Sequence, residues 1–264
     1  MRQPPLTDTK GVASWNFKIL TSLCNVIIKS PWEDLSSEAT SLLEKKISPI
    51  TETFILRKEG QFTFKHVTSI ENPTSYFEDH VFYLDFLFNY YQLQGKEETK
   101  HEIINLVKFV NNSFLKDNKM YQRSLKQDLL TPLPNNEVPI FDQSFCSPAA
   151  KYLNLLRKIH FLEPDENLKD LVTNLQENVK GIILRNPINS GEALKAFTYP
   201  WEAYFSVRVP VSYLTDELFI KIRRYAPARL LFNYSEKDDN WQICSDKECK
   251  DSGSGLINLS LIHI

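Results

Sequence analysis

Residues 76–93 read YFEDHVFYLDFLFNYYQL, and this stretch decides the predicted fold. Apolar side chains occupy nearly every face of a helix built from it, which indicates a helix that is buried on both sides. The polar residues Glu78, Asp85, Asn89 and Gln92 return to one narrow line at about 100° per residue. We expect this line either to face the axis of a helical ring or to form a hydrogen-bonded seam between helices.

The neighbouring segments repeat an alternation between two kinds of helix. Two further segments are apolar on most faces, residues 15–29 and 148–159. Three segments are apolar on one stripe only, residues 37–47, 99–115 and 168–183. Inner helices covered by one-sided outer helices form the two layers of an α/α toroid or solenoid. The sequence therefore predicts a mainly α fold, a partial (α/α)6 toroid.

The character of the sequence changes after Val207. Residues 1–206 form the predicted helical toroid part, and β-propensity with turn signals predicts a small α/β appendix over residues 207–250. Residues 251–264 are expected to be a non-native tail, because the last six correspond to one reading frame of a transposon-end sequencing adaptor. A genuine hydrophobic tail is the alternative.

Composition excludes several classes of function. Lys and Arg number 31 against 33 Asp and Glu, so no strong field attracts nucleic acid or an anionic membrane. Only 7 glycines are present, and no glycine-rich nucleotide-binding motif occurs. No segment is apolar enough for a membrane span, and the N-terminus does not read as a secretory signal. We expect a cytoplasmic protein with no nucleic-acid partner, no membrane partner and no cofactor.

Four segments carry a resemblance to a known family. They are Pro5–Lys10 with Ser14-Trp15-Asn16, Tyr76–Asp85, Leu153–Arg157, and the pair Cys244-x4-Cys249. In this order they resemble segments of the YyaL-type thioredoxin-domain proteins, the spermatogenesis-associated thioredoxin-like family. The sequence departs from the family pattern at three places: His80 replaces a tyrosine, Phe17 a glycine, and Phe145–Ala149 a Gly-Asn loop.

The resemblance implies a particular architecture. It implies a thioredoxin-like domain followed by a barrel of the six-hairpin glycosidase and N-acylglucosamine 2-epimerase kind. This chain would be the C-terminal part, a fragment with about half of the toroid. Its partners would be the upstream thioredoxin-like domain and the remaining barrel helices.

Glu78, Asp79 and His80 are the candidate catalytic residues. Paired carboxylates beside an apolar wall divide into an acid and a base when burial raises one pKa, and imidazole titrates near neutral pH. The alternative is structural, because Ser75-x-x-Glu78 fits a capping box and Asp79 complements the helix dipole.

Trp15, Asn16 and Asp85 are the candidate ligand-binding residues. An aromatic face stacks on a sugar ring and an amide binds its hydroxyls, although Trp15 and Asn16 also fit a helix start. Asp85 belongs to the polar line, with the two alternatives given for that line.

The cysteine pair Cys244 and Cys249 is open to three interpretations. The three interpretations are a disulfide, a zinc half-site and two free thiols. We favour a structural or reversible thiol pair. His66, His101 and His160 show no metal-ligand spacing, so no metal site is predicted.

Two functions follow from these observations. The first is a toroid that binds or processes a carbohydrate-like ligand, by hydrolase or epimerase chemistry. The second is a non-catalytic scaffold for a thioredoxin-like domain. Glu78 and Asp79 lining an open cavity with Trp15 would favour the first, and carboxylates that only cap helices would favour the second.

Overall fold

A computed structural model describes residues 9–58, 61–69, 75–125, 136–198, 200–256 and 259. The first four residues of the Pro5–Lys10 motif and most of the last six residues lie outside this described part. In the described part, no helix combines the length and the apolar character that a membrane crossing requires.

The described residues form a mainly helical chain with a small C-terminal sheet. The helices are α1 (Ala13–Lys29), α2 (Glu33–Phe54), α3 (Phe77–Gln94), α4 (Glu97–Phe114), α5 (Pro148–His160), α6 (Glu166–Arg185), α7 (Gly191–Thr198) and α8 (Glu217–Tyr225). The strands are β1 (Ile55–Lys58), β2 (Gln61–Phe64), β3 (Leu115–Lys116), β4 (Lys119–Met120), β5 (Phe205–Pro210), β6 (Leu230–Ser235), β7 (Trp241–Cys244) and β8 (Cys249–Gly253).

The helices are arranged in two layers. The inner helices α1, α3, α5 and α7 pack against one another in that order, and α2, α4 and α6 cover α1, α3 and α5 from outside. Phe17, Tyr83 and Tyr152 are fully buried on the inner helices, as their all-round apolar sequences predict. The predicted mainly α fold, an arc of a two-layer toroid, is confirmed.

The beginnings of the inner helices α3 and α5 are fixed by local hydrogen bonds. Ser147 caps α5 by accepting a hydrogen bond from Ala150 N at 3.2 Å, and Pro148 occupies the first helical position. On α3 the predicted capping box is wrong by one residue. The Asp79 carboxylate, not Glu78, accepts from a backbone N–H, that of Tyr76, at 3.2 Å. The Glu78 side chain is therefore free of a capping role.

The C-terminal sheet has the strand order β6-β5-β7-β8. β5 and β6 are parallel and connected through α8, whereas β7 is antiparallel to both of its neighbours. The sheet begins at Phe205 and ends at Gly253, so residues 251–253 pair with β7 although they fall inside the predicted tail. The non-native origin of residues 251–264 stays a prediction.

The end of α3 packs against the outer edge of β6. The Gln92 amide donates to Phe232 O at 2.8 Å and accepts from Phe232 N at 2.9 Å. The Tyr91 hydroxyl accepts from Tyr234 N at 2.9 Å. Gly95 ends the helix in the left-handed conformation, with φ at 68°, directly against the Tyr234 ring. The appendix is thereby fixed to the inner layer of the arc.

Candidate functional site

A cavity of about 300 Å³ lies where the inner helices α3 and α5 begin. Its walls come from three places: Lys18 of α1, the start of α3 with His66 before it, and the segment between β4 and α5. Aromatic rings and polar side chains line it together, among them Tyr76, Phe82 and Phe145 with Gln122, Gln143 and Ser144.

Glu78 and His66 are two neighbouring ionisable side chains in the lining of this cavity. His66 Nδ1 lies 3.0 and 3.1 Å from the two carboxylate oxygens of Asp79 and 3.9 Å from Glu78 Oε1. The Asp79 side chain is fully buried, and Glu78 and His66 are only partly exposed. Since Nδ1 faces Asp79, the imidazole is held in one orientation. Within the described part of the chain, no group hydrogen-bonds Nε2.

The pKa values of both groups are raised, for different reasons. Burial raises the pKa of Glu78, and the neighbouring Asp79 charge raises it further, against the opposing effects of His66 and Lys18. The hydrogen bond to Asp79 raises the pKa of His66, and this effect outweighs burial. Asp79 therefore acts on both groups. It makes the Glu78 carboxylate a stronger base, and it keeps the His66 imidazole protonated to a higher pH.

Asp142 positions the loop that closes the cavity. One of its carboxylate oxygens accepts from Ser147 N at 2.8 Å, and the other accepts from Glu192 N at 2.9 Å. The Ser147 hydroxyl donates to Pro139 O at 2.6 Å. This loop, Phe145–Ala149, is the segment that departs from the resembled family, and it forms a wall of the cavity.

Asp85 lies behind the cavity in a charged cluster between inner helices. Lys151 Nζ is 3.7 Å from Asp85 and 3.1 Å from Glu192, and Glu192 also contacts Lys195 and Asn154. Asp85 and Gln92 of the polar line both lie in contacts between elements, which fits the hydrogen-bonded seam of the two alternatives, and ligand binding by Asp85 stays a prediction. Asp85 joins the cluster that links the inner helices, and Gln92 forms the seam with β6.

His80 lies in the core, away from the cavity. Its Nδ1 is 2.8 Å from Tyr76 O and its Nε2 is 3.0 Å from Phe62 O, and its ring stacks on Phe109. The side chain is fully buried, and burial lowers its pKa. These contacts give His80 a packing role and do not support the predicted catalytic one.

Trp15 and Asn16, the predicted ligand-binding residues on α1, have different surroundings. Trp15 is half-exposed, and its ring is 5.6 Å from that of Phe145, which lines the cavity. Asn16 donates to Val12 O at 2.8 Å and stabilises the start of α1. Trp15 thus adjoins the cavity through Phe145, and Asn16 has the structural role of its two alternatives.

Cys244 and Cys249 are disulfide-bonded across the β7–β8 hairpin. The turn between them inserts Asp246 against the helical layer, where its buried carboxylate accepts from His160 Nε2 at 2.8 Å and from Lys169 Nζ. Neither cysteine lines the cavity, and the bond corresponds to the disulfide, the first of the three interpretations.

One cluster in the described part has the geometry of a cation site. Ligand atoms of His66, Glu78 and Asp79 all lie within 4.8 Å of one another. Sequence spacing does not pair His66 with the two carboxylates, because twelve residues separate them and the β2–α3 connection brings them together. Nitrogen and carboxylate oxygen ligands suit divalent transition metals, so the predicted absence of a metal site stays a prediction.

Comparisons with known proteins complete the description of the site. No protein-family model matches the sequence, and no curated protein sequence matches it significantly. Among solved structures, a sugar epimerase from a ruminal bacterium is similar to this chain. The similarity covers 66% of this chain and 44% of the epimerase chain, with 11% sequence identity and a TM-score of 0.48.

A second similar structure is a cellobiose 2-epimerase from Bacillus thermoamylovorans. The similarity covers 64% of this chain and 44% of the epimerase chain, with 12% sequence identity and a TM-score of 0.44. The chain therefore spans less than half the length of both structures. The thioredoxin-domain family identity stays a prediction.

Proposed function

We propose that the chain binds a carbohydrate-like ligand in the cavity and transfers protons to and from it. One observation carries the proposal: the Glu78 carboxyl group opens onto the cavity beside an imidazole that Asp79 orients. A general base and a general acid held side by side are the requirement for proton transfer at a carbon next to a carbonyl group.

The lining of the cavity supports a small polar ligand. A volume of about 300 Å³ is at the lower end of ligand pockets, which suits a ligand of monosaccharide size. The rings of Tyr76 and Phe145 offer apolar faces, and Gln122, Gln143 and Ser144 offer hydrogen-bonding groups. This combination matches a sugar ring, which has apolar faces and a polar rim.

The geometry supports proton transfer better than two-carboxylate hydrolysis. Glycosidases place two accessible carboxyl groups on opposite sides of the bond, about 5–9.5 Å apart. Here Asp79 is fully buried and hydrogen-bonded to His66, so Glu78 has no accessible carboxylate partner in Asp79. The predicted Glu78 and Asp79 pair is therefore replaced by Glu78 as base and His66 as acid, with Asp79 as the positioning residue.

Exchange of the C2 proton of reducing aldoses in D₂O, followed by NMR, tests this proposal. The wild-type chain should exchange the proton of at least one aldose in a panel, and Glu78→Gln should lower the rate by about 10²-fold or more. Glu98→Gln is the matched control, because Glu98 has the same position in the first turn of α4 and is exposed. Exchange by Glu78→Gln at the wild-type rate would contradict the role of Glu78. Absence of both exchange and binding across the panel would contradict the proposed function.

A second candidate function rests on a different surface. Large apolar side chains are exposed at the α1–α2 end of the arc: Trp15, Ile19, Trp32, Leu35 and Leu42. Such a surface suits a scaffold that docks a further domain, for which a thioredoxin-like domain is the predicted partner. Tight binding of that domain, together with no exchange by the wild-type chain, would favour the scaffold.

A further inference from the structure

We propose that Lys18 is a nucleophile that forms an imine with a carbonyl group of the ligand. The chemical class of the ligand is an aldehyde or ketone, which includes the open-chain form of a reducing sugar. The choice of a sugar rests on the proposed function above, whereas the reactivity of the lysine does not.

The surroundings of the Lys18 amine distinguish it from a surface lysine. Lys18 lines the cavity, and its Nζ lies 3.8 Å from the centre of the Phe82 ring and 4.0 Å from that of Phe145. Among the described residues, no carboxylate lies within ion-pair distance of this amine, and no group accepts a hydrogen bond from it. The two rings enclose the amine, and among the described residues no anion contacts it directly.

Lys151, on the inner helix α5, provides the contrast. Its amine contacts Glu192 at 3.1 Å and Asp85 at 3.7 Å. Burial opposes its charge, but these two carboxylates outweigh burial and raise its pKa. For Lys18 burial is the largest effect and its pKa is lowered. Ring faces attract an ammonium group less strongly than a carboxylate does, so Lys18 provides a free amine nearer to neutral pH.

Glu78 completes the chemistry, because it lines the same cavity and interacts electrostatically with Lys18. The amine nitrogen of Lys18 attacks the carbonyl carbon, and the Glu78 carboxylate takes the proton that the nitrogen loses. Glu78 returns this proton to the oxygen, which gives the carbinolamine. The protonated His66 imidazole, which lines the same cavity, then donates a second proton to the carbinolamine hydroxyl group, the C–O bond breaks, and water leaves. The product is an iminium ion, and the step requires no oxidant or reductant.

The iminium ion also explains why an amine belongs beside an acid–base pair. The positive nitrogen withdraws electrons from the adjacent carbon, which makes the proton on that carbon more acidic. Removal and return of this proton by Glu78 and His66 regenerates the iminium ion. Hydrolysis with one water then releases the carbonyl compound and the free amine, and returns one proton to His66. Lys18 would then lower the barrier of the proposed proton transfer.

Reductive trapping with glycolaldehyde and cyanoborohydride tests the proposal. The reagent reduces an imine to a stable secondary amine, and peptide mass spectrometry locates the modified lysine. At pH 7, Lys18 should be labelled at least about tenfold faster than Lys45 and Lys108, which are exposed on helices. Lys18→Arg should remove this fast phase, and Lys45→Arg should leave it unchanged. Thermal unfolding of both variants verifies that they fold.

Glycolaldehyde needs no sugar recognition, so the two proposals fail separately. Labelling of Lys18 no faster than Lys45 would overturn the imine proposal and leave the exchange assay of Glu78→Gln unaffected. Fast labelling of Lys18 without exchange of any aldose would support the imine site and contradict the proposed function. If the wild-type chain exchanges an aldose proton, Lys18→Arg should lower that rate at least about 10²-fold, and an unchanged rate would overturn the role of Lys18 in the reaction.

Discussion

At the residue scale, a single buried carboxylate sets the properties of the cavity. Asp79 caps α3, orients His66, and raises the pKa of both His66 and Glu78. The sequence identified Glu78 and Asp79, because the two carboxylates stand together at the start of an all-round apolar helix. It did not identify His66, since nothing in the spacing indicates that a residue after β2 returns to the start of α3.

Removal of the Asp79 charge should lower the pKa of His66. Asp79→Asn has nearly the same shape, and it still offers an oxygen to the Tyr76 N–H. It removes the negative charge that stabilises the imidazolium ion. An NMR titration of the histidine ring signals measures the change, and the exposed His101 provides the reference signal. An unchanged His66 titration in the variant would show that Asp79 does not control it.

His66 should also make stability depend on pH with a definite sign. Its pKa is raised in the folded state, so its contribution to stability is fully present below about pH 6.5 and is lost as the pH rises through the raised value. The difference in free energy of unfolding between the wild type and His66→Gln should therefore be larger at pH 5.5 than at pH 9. Urea denaturation at the two pH values measures it, and a difference that grows with pH would contradict this account.

At the element scale, hydrophobic periodicity predicted the helices well because each layer buries a different fraction of its surface. The fully buried α3 and the one-sided α4 differ in pattern for that reason. The strand boundaries were harder to predict, because β5 begins at Phe205 through pairing with the distant strand β6, and β8 continues to Gly253 through its hairpin pairing with β7. Register is a tertiary property that short polar strands do not encode locally.

The end of α3 offers a sharp test of this packing. Gly95 has a positive φ, and a Cβ atom there would lie 2.7 Å from the Tyr234 ring. Gly95→Ala should therefore lower the free energy of unfolding by about 2–4 kcal/mol. Gly181→Ala is the matched control, because nothing lies within 4 Å of its Cβ position in α6, and it should stabilise by about 0.5–1 kcal/mol. Equal effects of the two substitutions in chemical denaturation would contradict this packing.

At the scale of the whole molecule, the appendix contacts the helical arc at several places. They include the contact of α3 with β6, the hydrogen bonds from Lys29 of α1 to the end of α8, and the insertion of Asp246 between His160 and Lys169. β-propensity and turn signals predicted the appendix, and the resemblance placed the cysteine pair at its end. It did not predict the buried ion pair, because Asp246 and His160 are 86 residues apart.

Asp246→Asn should destabilise the chain by about 1–3 kcal/mol at neutral pH, because it removes the charge that accepts from Lys169 and His160. Burial opposes ionisation of Asp246, but these hydrogen bonds outweigh it and lower its pKa. The stability that the pairing contributes is present above about pH 3.9 and is lost as the pH falls through the lowered pKa. Thermal unfolding at pH 7 and pH 2.5 should show a gap between wild type and variant that narrows in acid. A gap of the same size at both pH values would contradict the role of the ionised carboxylate.

The contact of Gln92 with β6 has a further consequence, for behaviour in concentrated solution. β6 is the last strand of its sheet, and such a strand offers free N–H and C=O groups that recruit strands from other molecules. The Gln92 amide occupies both backbone groups of Phe232 as a neighbouring strand would. A glutamine on a helix thus protects the molecule from intermolecular strand pairing. Gln92→Ala should promote concentration-dependent aggregation, measurable by light scattering, even where the monomer remains folded.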